Sequence, residues 1–466
     1  MSQFFRLGGQ LLTTVILARM LPAADFGLIA MAMVVTGFVA LFRDLGTSAA
    51  VIQRADPSQA LLSSACWLNL MFGFALWLIF ASLAATVATA LAEPRLVDVL
   101  QALLIALPIT ALGAIPQALL EKASRFRTIA LIESASAGIG LIGAVWAAWQ
   151  DWGVFSLVLQ VLLSASVNTV GCWLYCRWRP TLVWDGRSVS GLLTFGGNLV
   201  GFNVFNYFIR NVDNLLVGRY LGATDLGYYS MAYRLMLWPL QNISSVVGRA
   251  LFPVFSRLQA DHGELSAVYI QATTAVVFVT APLMFGFFVL RDPLILVALG
   301  SEWQPVADVL AWLIPVGLLQ SVGATVGSLY LATGRTDVMF KWGILAGLLI
   351  VPAFVVGLQW GITGVAAAYG AVSLLLFWPS LAIPYRLVNL RVGIVLYKLA
   401  PSLLSGAAMA VLVALLALAW PDSSDSQLPR VAGLIVVGVA IYAGLCALFQ
   451  RRLATALLHA VLRRSP

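Results

Sequence analysis

The sequence predicts an all-α integral membrane protein of about 14 transmembrane helices, arranged as two six-helix lobes around a central cavity plus two further helices. Three observations predict this fold: the composition, the length of the apolar runs and an internal repeat. Of the 466 residues, 61% are hydrophobic and only 10% are charged, with a mean hydropathy of +0.96. A soluble domain carries about 25% charged residues. This chain therefore cannot cover a surface that faces water.

The apolar runs indicate helices as the membrane-spanning elements. In lipid, backbone polar groups must be satisfied internally, which restricts spanning structures to helices and closed barrels. The runs here extend to about 20 residues and lack the alternation of a barrel strand. The fourteen predicted helices lie near residues 4–20, 25–48, 60–91, 97–118, 128–149, 153–176, 190–218, 225–254, 266–290, 305–332, 341–358, 361–384, 397–420 and 431–449.

The basic residues predict the orientation of these helices. Most lie on connections that share one side of the membrane with both chain ends, and only five lie on the opposite connections: Arg19, Arg95, Arg219, Arg291 and Arg430. Because cytoplasmic connections carry an excess of Lys and Arg, both termini are predicted to be cytoplasmic in a multi-pass protein of the bacterial inner membrane. The net charge of +8 is explained by this topology. It does not indicate nucleic-acid binding.

An internal repeat indicates how the helices are assembled. Residues 19–27 read RMLPAADFG and residues 219–227 read RYLGATDLG. Further matches follow in the same order: Asp98-Val99-Leu100 with Asp308-Val309-Leu310, Arg127-Thr128 with Arg335-Thr336, and Trp152-Gly153 with Trp360-Gly361. Six helices separate the two copies, so they have the same orientation. Such parallel repeats are related by an axis along the membrane normal and enclose a central cavity.

The repeat defines four segments. The N-lobe comprises helices 1–6 in residues 1–180, and the C-lobe comprises helices 7–12 in residues 190–386. Helices 13 and 14 occupy residues 395–450, and a basic cytoplasmic tail occupies residues 451–466.

Polar residues at membrane depth are the candidate functional groups. They are costly in lipid, so they face a cavity or pair with one another. The residues predicted to line the lumen are Arg210, Arg234, Asn203, Asn206, Asn214 and Arg43. Arginines in a low-dielectric cavity attract phosphate or acidic sugars. In the alternative interpretation, Arg210 pairs with Asp213, three residues along one helix face, and Arg43 pairs with Asp44, so that both pairs only lock helices.

Asp213 and Asp44 are also candidates for binding a coupling ion, either H⁺ or Na⁺, because a carboxylate at membrane depth can bind either. The chain shows no P-loop, no catalytic constellation and no metal-binding cluster, and it predicts no cofactor. Cys172 and Cys176 share a helix face, but the two histidines are distant and no acidic ligand accompanies them. They are predicted to be small buried side chains.

Several segments resemble a known family. The stretches LARMLPAADFGLIAMA at 17–32, RDLGTSAAVIQR at 43–54, GRYLGATDLGYYSMAYRL at 218–235 and SRLQ at 256–259 resemble the WzxC-like branch of the Wzx-type polysaccharide flippases. These proteins belong to the multidrug/oligosaccharidyl-lipid/polysaccharide exporter superfamily.

The resemblance implies transport of undecaprenyl-pyrophosphate-linked oligosaccharide repeat units from the cytoplasmic to the periplasmic leaflet, for lipopolysaccharide or exopolysaccharide biosynthesis. It also implies alternating access coupled to H⁺ or Na⁺, and an enzyme activity is not expected. The lumen arginines of helices 7 and 8 would be Arg210 and Arg234. The expected partners are the lipid-linked substrate, membrane lipids, a polysaccharide polymerase and glycosyltransferases, with the protein itself a monomer.

Three other functions are compatible with a polytopic membrane protein. A multidrug or small-metabolite antiporter would share the architecture, although helix 1 has no carboxylate at membrane depth to bind a cationic drug. A membrane-embedded transferase of glycan assembly would show metal-dependent activity. A non-transporting scaffold would tolerate charge reversal in its lumen.

Overall fold

The protein is helical throughout the part of the chain that the structure describes. The structure is a computed structural model, and it describes residues 12–43, 46–54, 56–185, 204, 206–257, 262–420 and 427–450. Within these ranges every regular element is a helix, and ten helical spans are long and apolar enough to cross a membrane. The predicted all-α membrane fold is confirmed. The count of 14 helices and the two-lobe arrangement stay predictions.

The chain divides into two compact units, residues 1–230 and residues 231–466. The helices of the first unit are α1 (12–18), α2 (Ala23–Arg43), α3 (Thr47–Gln53), α4 (Gln59–Ala90), α5 (Leu96–Leu104), α6 (Ala106–Lys122), α7 (Phe126–Trp149), α8 (Val154–Tyr175) and α9 (206–221).

Helix α10 (Ala223–Arg257) begins in the first unit and continues into the second. The remaining helices are α11 (His262–Ala298), α12 (Gln304–Gly323), α13 (Val326–Ala332), α14 (Thr336–Gly357), α15 (Gly361–Leu387), α16 (Val392–Ala419) and α17 (Gln427–Phe449). The predicted tail, 451–466, lies outside the described residues.

Three of the predicted helices are divided in the structure. Predicted helix 2 is replaced by α2 and α3, and Gly46, which precedes α3, has a left-handed backbone with φ of 75°. Predicted helix 4 is divided at Ile105 because Pro108 has no N–H to donate to the carbonyl of Leu104. Predicted helix 10 is divided at residues 324–325, between α12 and α13.

Hydrogen bonds between side chains brace two of these breaks. Thr47, the first residue of α3, donates from its hydroxyl to Asn69 Oδ1 in α4 at 3.0 Å. Thr325, between α12 and α13, bonds through its hydroxyl to Thr273 of α11 at 2.8 Å. All four side chains are buried. Neighbouring helices and Ser or Thr hydroxyls are what makes a broken helix tolerable in lipid.

The two units have the same internal pairing of helices. In the first unit, α4 packs on α6, α6 packs on α8, and α8 packs on α7. In the second unit, α11 packs on α12, α12 on α15, and α15 on α14, in the same chain order. Helices α16 and α17, which correspond to the predicted helices 13 and 14, pack against α11. Tyr442 of α17 donates its hydroxyl to the carbonyl of Phe278 in α11 at 2.7 Å.

Backbone conformations at the turns also match between the units. Gly153, before α8, has φ of 54° and ψ of −131°, and Gly361, which begins α15, has φ of 67° and ψ of −161°. This region is accessible almost only to glycine. Arg125 before α7 and Arg335 before α14 have ψ of 48° and 49°. Arg335 therefore corresponds to Arg125, not to Arg127 as the sequence match predicts.

The two copies of the repeat contact each other directly within the first unit. Each copy has a small residue and, four positions later, a glycine: Ala23 and Gly27 in α2, Ala223 and Gly227 in α10. A Cβ atom on Gly27 would overlap the carbonyl oxygen of Ala223, and a Cβ atom on Gly227 would overlap the carbonyl oxygen of Ala23. The contact is thus reciprocal. We call these four residues the crossing.

The crossing is a small-xxx-small contact of the kind that lets transmembrane backbones approach closely. Gly27 also lies beside the backbone of Gly227, whose nitrogen would be 2.9 Å from an added Cβ. A side chain at either glycine would therefore meet main-chain atoms, which cannot rotate away.

We expect Gly27→Ala to destabilise the protein, although alanine favours helices. Gly138→Ala in α7 is the matched control because no atom lies within 4 Å of an added Cβ there. The expected loss for Gly27→Ala is about 1–3 kcal/mol from overpacking, whereas Gly138→Ala should stabilise by up to about 1 kcal/mol. Thermal unfolding of the purified proteins in detergent measures both. Equal midpoints for the two variants would contradict the crossing.

Candidate functional site

The polar segment of α9 divides between the protein interior and exposed surface. Asn206 and Arg210 are exposed, Asn214 is half-buried, and Asp213 is only 4% exposed. The predicted stripe is therefore not uniform, since Asp213 faces protein while Arg210 does not. Asn203 lies outside the described residues.

Asp213 is held by hydrogen bonds rather than by an ion pair. The hydroxyl of Tyr229 in α10 donates to Asp213 Oδ2 at 3.1 Å, and the N–H of Asn214 donates to Oδ1 at 2.8 Å. Arg210 forms no ion pair with any residue that the structure describes. The predicted Arg210–Asp213 pair is therefore absent, because both carboxylate oxygens turn toward other donors.

The partner of Asp213 was not predicted from the sequence. Helices α9 and α10 form a hairpin that turns at Gly222, which has φ of 92°. Residues at similar distances from the turn lie opposite each other, as Asp213 and Tyr229 do. The spacing of Asp213 and Tyr229 around Gly222 was thus a sequence signal for their contact.

Arg43 lies at the end of α2, where the helix breaks. Its Nη1 donates to the hydroxyl of Thr110 in α6 at 2.6 Å, and the side chain is half-buried. The hydroxyl of Thr110 also contacts the carbonyls of Ala106 and Leu107 in its own helix. Thr110 therefore fixes the guanidinium of Arg43. Asp44 lies outside the described residues, so the predicted Arg43–Asp44 pair stays a prediction.

Arg234 of α10 lies in the second unit. Its side chain is exposed, so the guanidinium is accessible to a ligand.

Aromatic and amide side chains of the second unit contact one another around Tyr233, the residue before Arg234 in the chain. The ring of Tyr233 is 6.4 Å from that of Tyr369, and Gln320 donates to the hydroxyl of Tyr369 at 2.9 Å. In the first unit, Tyr207 donates its hydroxyl to the carbonyl of Val34 in α2 at 2.8 Å. Tyr207 is therefore engaged in holding α9 against α2.

Charged side chains at the helix ends have local partners. Arg95 is bonded to Glu93 at 3.1 Å, and this hydrogen bond raises the pKa of Arg95. Arg335 is bonded to Asp337 at 3.0 Å, and both are exposed. Exposed pairs of this kind contribute about 0–1 kcal/mol. They position helix ends and are not part of the candidate site.

The site residues supply cationic and hydrogen-bonding groups. No group of three or more His, Cys, Asp or Glu side chains that could hold a metal ion occurs in the described part of the chain. The arginines can bind an anion through charge-assisted hydrogen bonds. The buried carboxylate of Asp213 can bind a cation or a proton.

Comparison with known proteins identifies relatives of this chain. A family model described as "Polysaccharide biosynthesis protein" matches residues 16–308. The lipopolysaccharide biosynthesis protein WzxC of Escherichia coli is 28% identical over 419 residues, which are 87% of this chain and 85% of WzxC. The succinoglycan biosynthesis transport protein ExoT of Rhizobium meliloti is 30% identical over 354 residues, 75% of this chain and 71% of ExoT.

The fold is shared with a solved transporter structure. The structure of the lipid II flippase MurJ in an inward closed conformation matches with a TM-score of 0.79 at 17% identity, over 97% of this chain and 98% of that chain. At this identity the match concerns the fold alone.

We expect the exposed face of α9 to contact water within the membrane. Asn206→Cys and Arg210→Cys should react with a charged, water-soluble thiol reagent, whereas Asp213→Cys should not, because that position is buried. The four native cysteines are buried, so the background should be low. Reaction of the first two variants only with an apolar maleimide would place this face against lipid.

Proposed function

Since this chain belongs to the polysaccharide biosynthesis protein family, we propose that it is a flippase that moves a lipid-linked oligosaccharide repeat unit across the membrane. The cargo is an undecaprenyl-pyrophosphate-linked repeat unit, carried from the cytoplasmic to the periplasmic leaflet for polysaccharide biosynthesis. The names of WzxC and ExoT support this function. So does the fold shared with the lipid II flippase MurJ. The protein is a transporter and not an enzyme.

The arginines of the candidate site carry this proposal. A pyrophosphate diester is anionic, and guanidinium groups fork onto phosphate oxygens at low cost in desolvation. Arg210 is exposed on α9, and Arg43 is positioned by Thr110. We assign these two residues of the first unit to the pyrophosphate. Arg234 of the second unit is exposed, and we assign it to contact with the anionic cargo. Asn206 and Asn214 supply amides that can hydrogen-bond sugar hydroxyls.

The crossing is assigned to closure of the outward side. With both termini in the cytoplasm, as the basic residues predict, the first turns of α2 and α10 lie at the periplasmic end. Alternating access requires the backbones of Ala23, Gly27, Ala223 and Gly227 to separate before cargo can leave on that side. A contact between backbones without side-chain bonding suits a closure that must open repeatedly.

The energy for transport is assigned to an ion gradient, since the chain has no P-loop. Asp213 and Asp44 are the proposed ion-binding carboxylates, for H⁺ or Na⁺. No cofactor is required. We place the protein in the bacterial inner membrane as a monomer, with a polysaccharide polymerase and glycosyltransferases acting before and after it.

Charge reversal at the arginines should lower export. In a strain that lacks the gene, we expect Arg210→Glu or Arg234→Glu to lower surface glycan by about tenfold or more relative to wild type, because each variant loses a charge-assisted contact to the anionic cargo. The lipid-linked unit should accumulate in the cytoplasmic leaflet. Quantification of surface polymer and of the lipid-linked unit, at matched protein levels, provides the measurement.

Arg335→Gln is the matched control for this experiment. The Arg335 side chain is exposed and, among the described residues, is bonded only to Asp337, so its loss should leave export unchanged. Normal export from both Glu variants would contradict the cationic site. Unchanged surface glycan in the deletion strain would instead favour a small-metabolite antiporter of the same architecture.

A further inference from the structure

Asp213 and Tyr229 form a buried pair between α9 and α10. Asp213 is 4% exposed and the Tyr229 side chain is 0% exposed. Their 3.1 Å hydrogen bond joins two consecutive helices of the first unit. An ionisable group in this position is costly unless it is compensated or neutral.

No opposite charge compensates Asp213 within the described residues. The ionisable side chains of α2 are Asp25 and Arg43, at its two ends, and Arg43 is bonded to Thr110. On α9, Arg210 forms no ion pair. The other ionisable residues on the elements that adjoin Asp213 are Tyr207, Arg219, Tyr220, Asp225, Tyr228, Tyr233, Arg234, Arg249 and Arg257.

The groups that contact Asp213 decide which ion can bind. Both of its oxygens face hydrogen-bond donors, the N–H of Asn214 and the O–H of Tyr229. A metal cation needs several oxygen lone pairs directed at it, and donor hydrogens repel it. A proton needs only one of the roughly four lone-pair positions of a carboxylate, so two remain after the two donors are satisfied.

We infer that Asp213 and Tyr229 form a proton-binding site, in which Asp213 is the group that binds the coupling proton and Tyr229 is its positioning residue. This assignment deepens the proposed transport function and rests on that function only for the physiological role of the proton.

Protonation weakens one hydrogen bond. A proton that binds a free lone pair of Asp213 forms an O–H bond and removes the negative charge to which the Tyr229 hydroxyl donates. No electron is transferred and no covalent bond breaks. Tyr229 lies two residues beyond Gly227, so this change occurs next to the crossing that must open.

The pair thus links proton binding to the proposed outward closure. The ionised state holds α10 to α9 through a hydrogen bond to a charged acceptor, which is stronger than a bond between neutral groups. Neutralisation weakens that bond beside Gly227. Proton binding is therefore expected to favour movement of α10 relative to α9.

Infrared difference spectroscopy of the purified protein, titrated with pH in the absence of sodium, tests the site directly. Wild type should show the carbonyl band of a protonated carboxylic acid that disappears as pH rises. Asp213→Asn should lack this band. Asp225→Asn should retain it, and is the matched control because Asp225 is a half-buried carboxylate near the start of the same α10 helix.

Tyr229→Phe provides a second variant that keeps the carboxylate. Removal of the hydroxyl donor stabilises the protonated form relative to the ionised form, so the midpoint of the band should shift upward by about one to two pH units. This shift would not follow from a merely structural role of Tyr229. An unchanged midpoint would overturn the positioning role.

Two further outcomes would overturn the proton site. Loss of the band on addition of sodium chloride at constant pH, without the same effect of potassium chloride, would identify a sodium site. An unchanged band in Asp213→Asn would show that another group titrates. These readouts need no substrate, so failure of the proposed flippase function would leave them intact.

The coupling role has its own test in the export assay. Surface glycan should be about tenfold lower with Asp213→Asn than with wild type at matched expression, whereas Asp225→Asn should export normally. If wild type shows the band and Asp213→Asn nevertheless exports normally, the coupling role is overturned.

Discussion

The reciprocal contact of Ala23 and Gly27 with Ala223 and Gly227 sets the geometry of the first unit. Lipid offers no hydrophobic driving force between helices, so close association depends on packing between small residues. Once α2 and α10 cross, the tight turn at Gly222 places α9 beside α2. Gly218 then packs on Met31, and Tyr207 reaches the carbonyl of Val34.

This placement of α9 separates two charges that lie three residues apart. Arg210 is exposed, and Asp213 is buried against α10. An arginine that paired with Asp213 would be neutralised and unable to attract an anion. Because Tyr229 satisfies the carboxylate instead, one helix can present a cation to anionic cargo while it keeps a carboxylate for a proton.

The sequence predicted the features that are visible in its composition or in the length of its apolar runs. Apolar runs of spanning length located the helices, and the Gly153 and Gly361 turns repeat in the backbone as they do in the sequence. The division at residues 324–325 was missed because a break inside an apolar run leaves its hydropathy unchanged, whereas Pro108 was a sequence signal for the division at Ile105. Contacts such as Arg43 with Thr110 were missed because the partners lie on helices distant in sequence.

The helix breaks that are held by a threonine differ between the two copies of the repeat. Each unit braces one break with a threonine bonded to a neighbouring helix, Thr47 to Asn69 of α4 and Thr325 to Thr273 of α11. Helices α4 and α11 correspond in the two units, yet the two breaks that bond to them do not, since they lie in predicted helices 2 and 10. A buried hydroxyl without a partner would cost about 1–3 kcal/mol. Each threonine therefore needs its partner on the neighbouring helix. The pairing of helices is therefore common to both units, whereas the positions of the hydrogen-bonded helix breaks differ. Arg43 lies at one of these breaks.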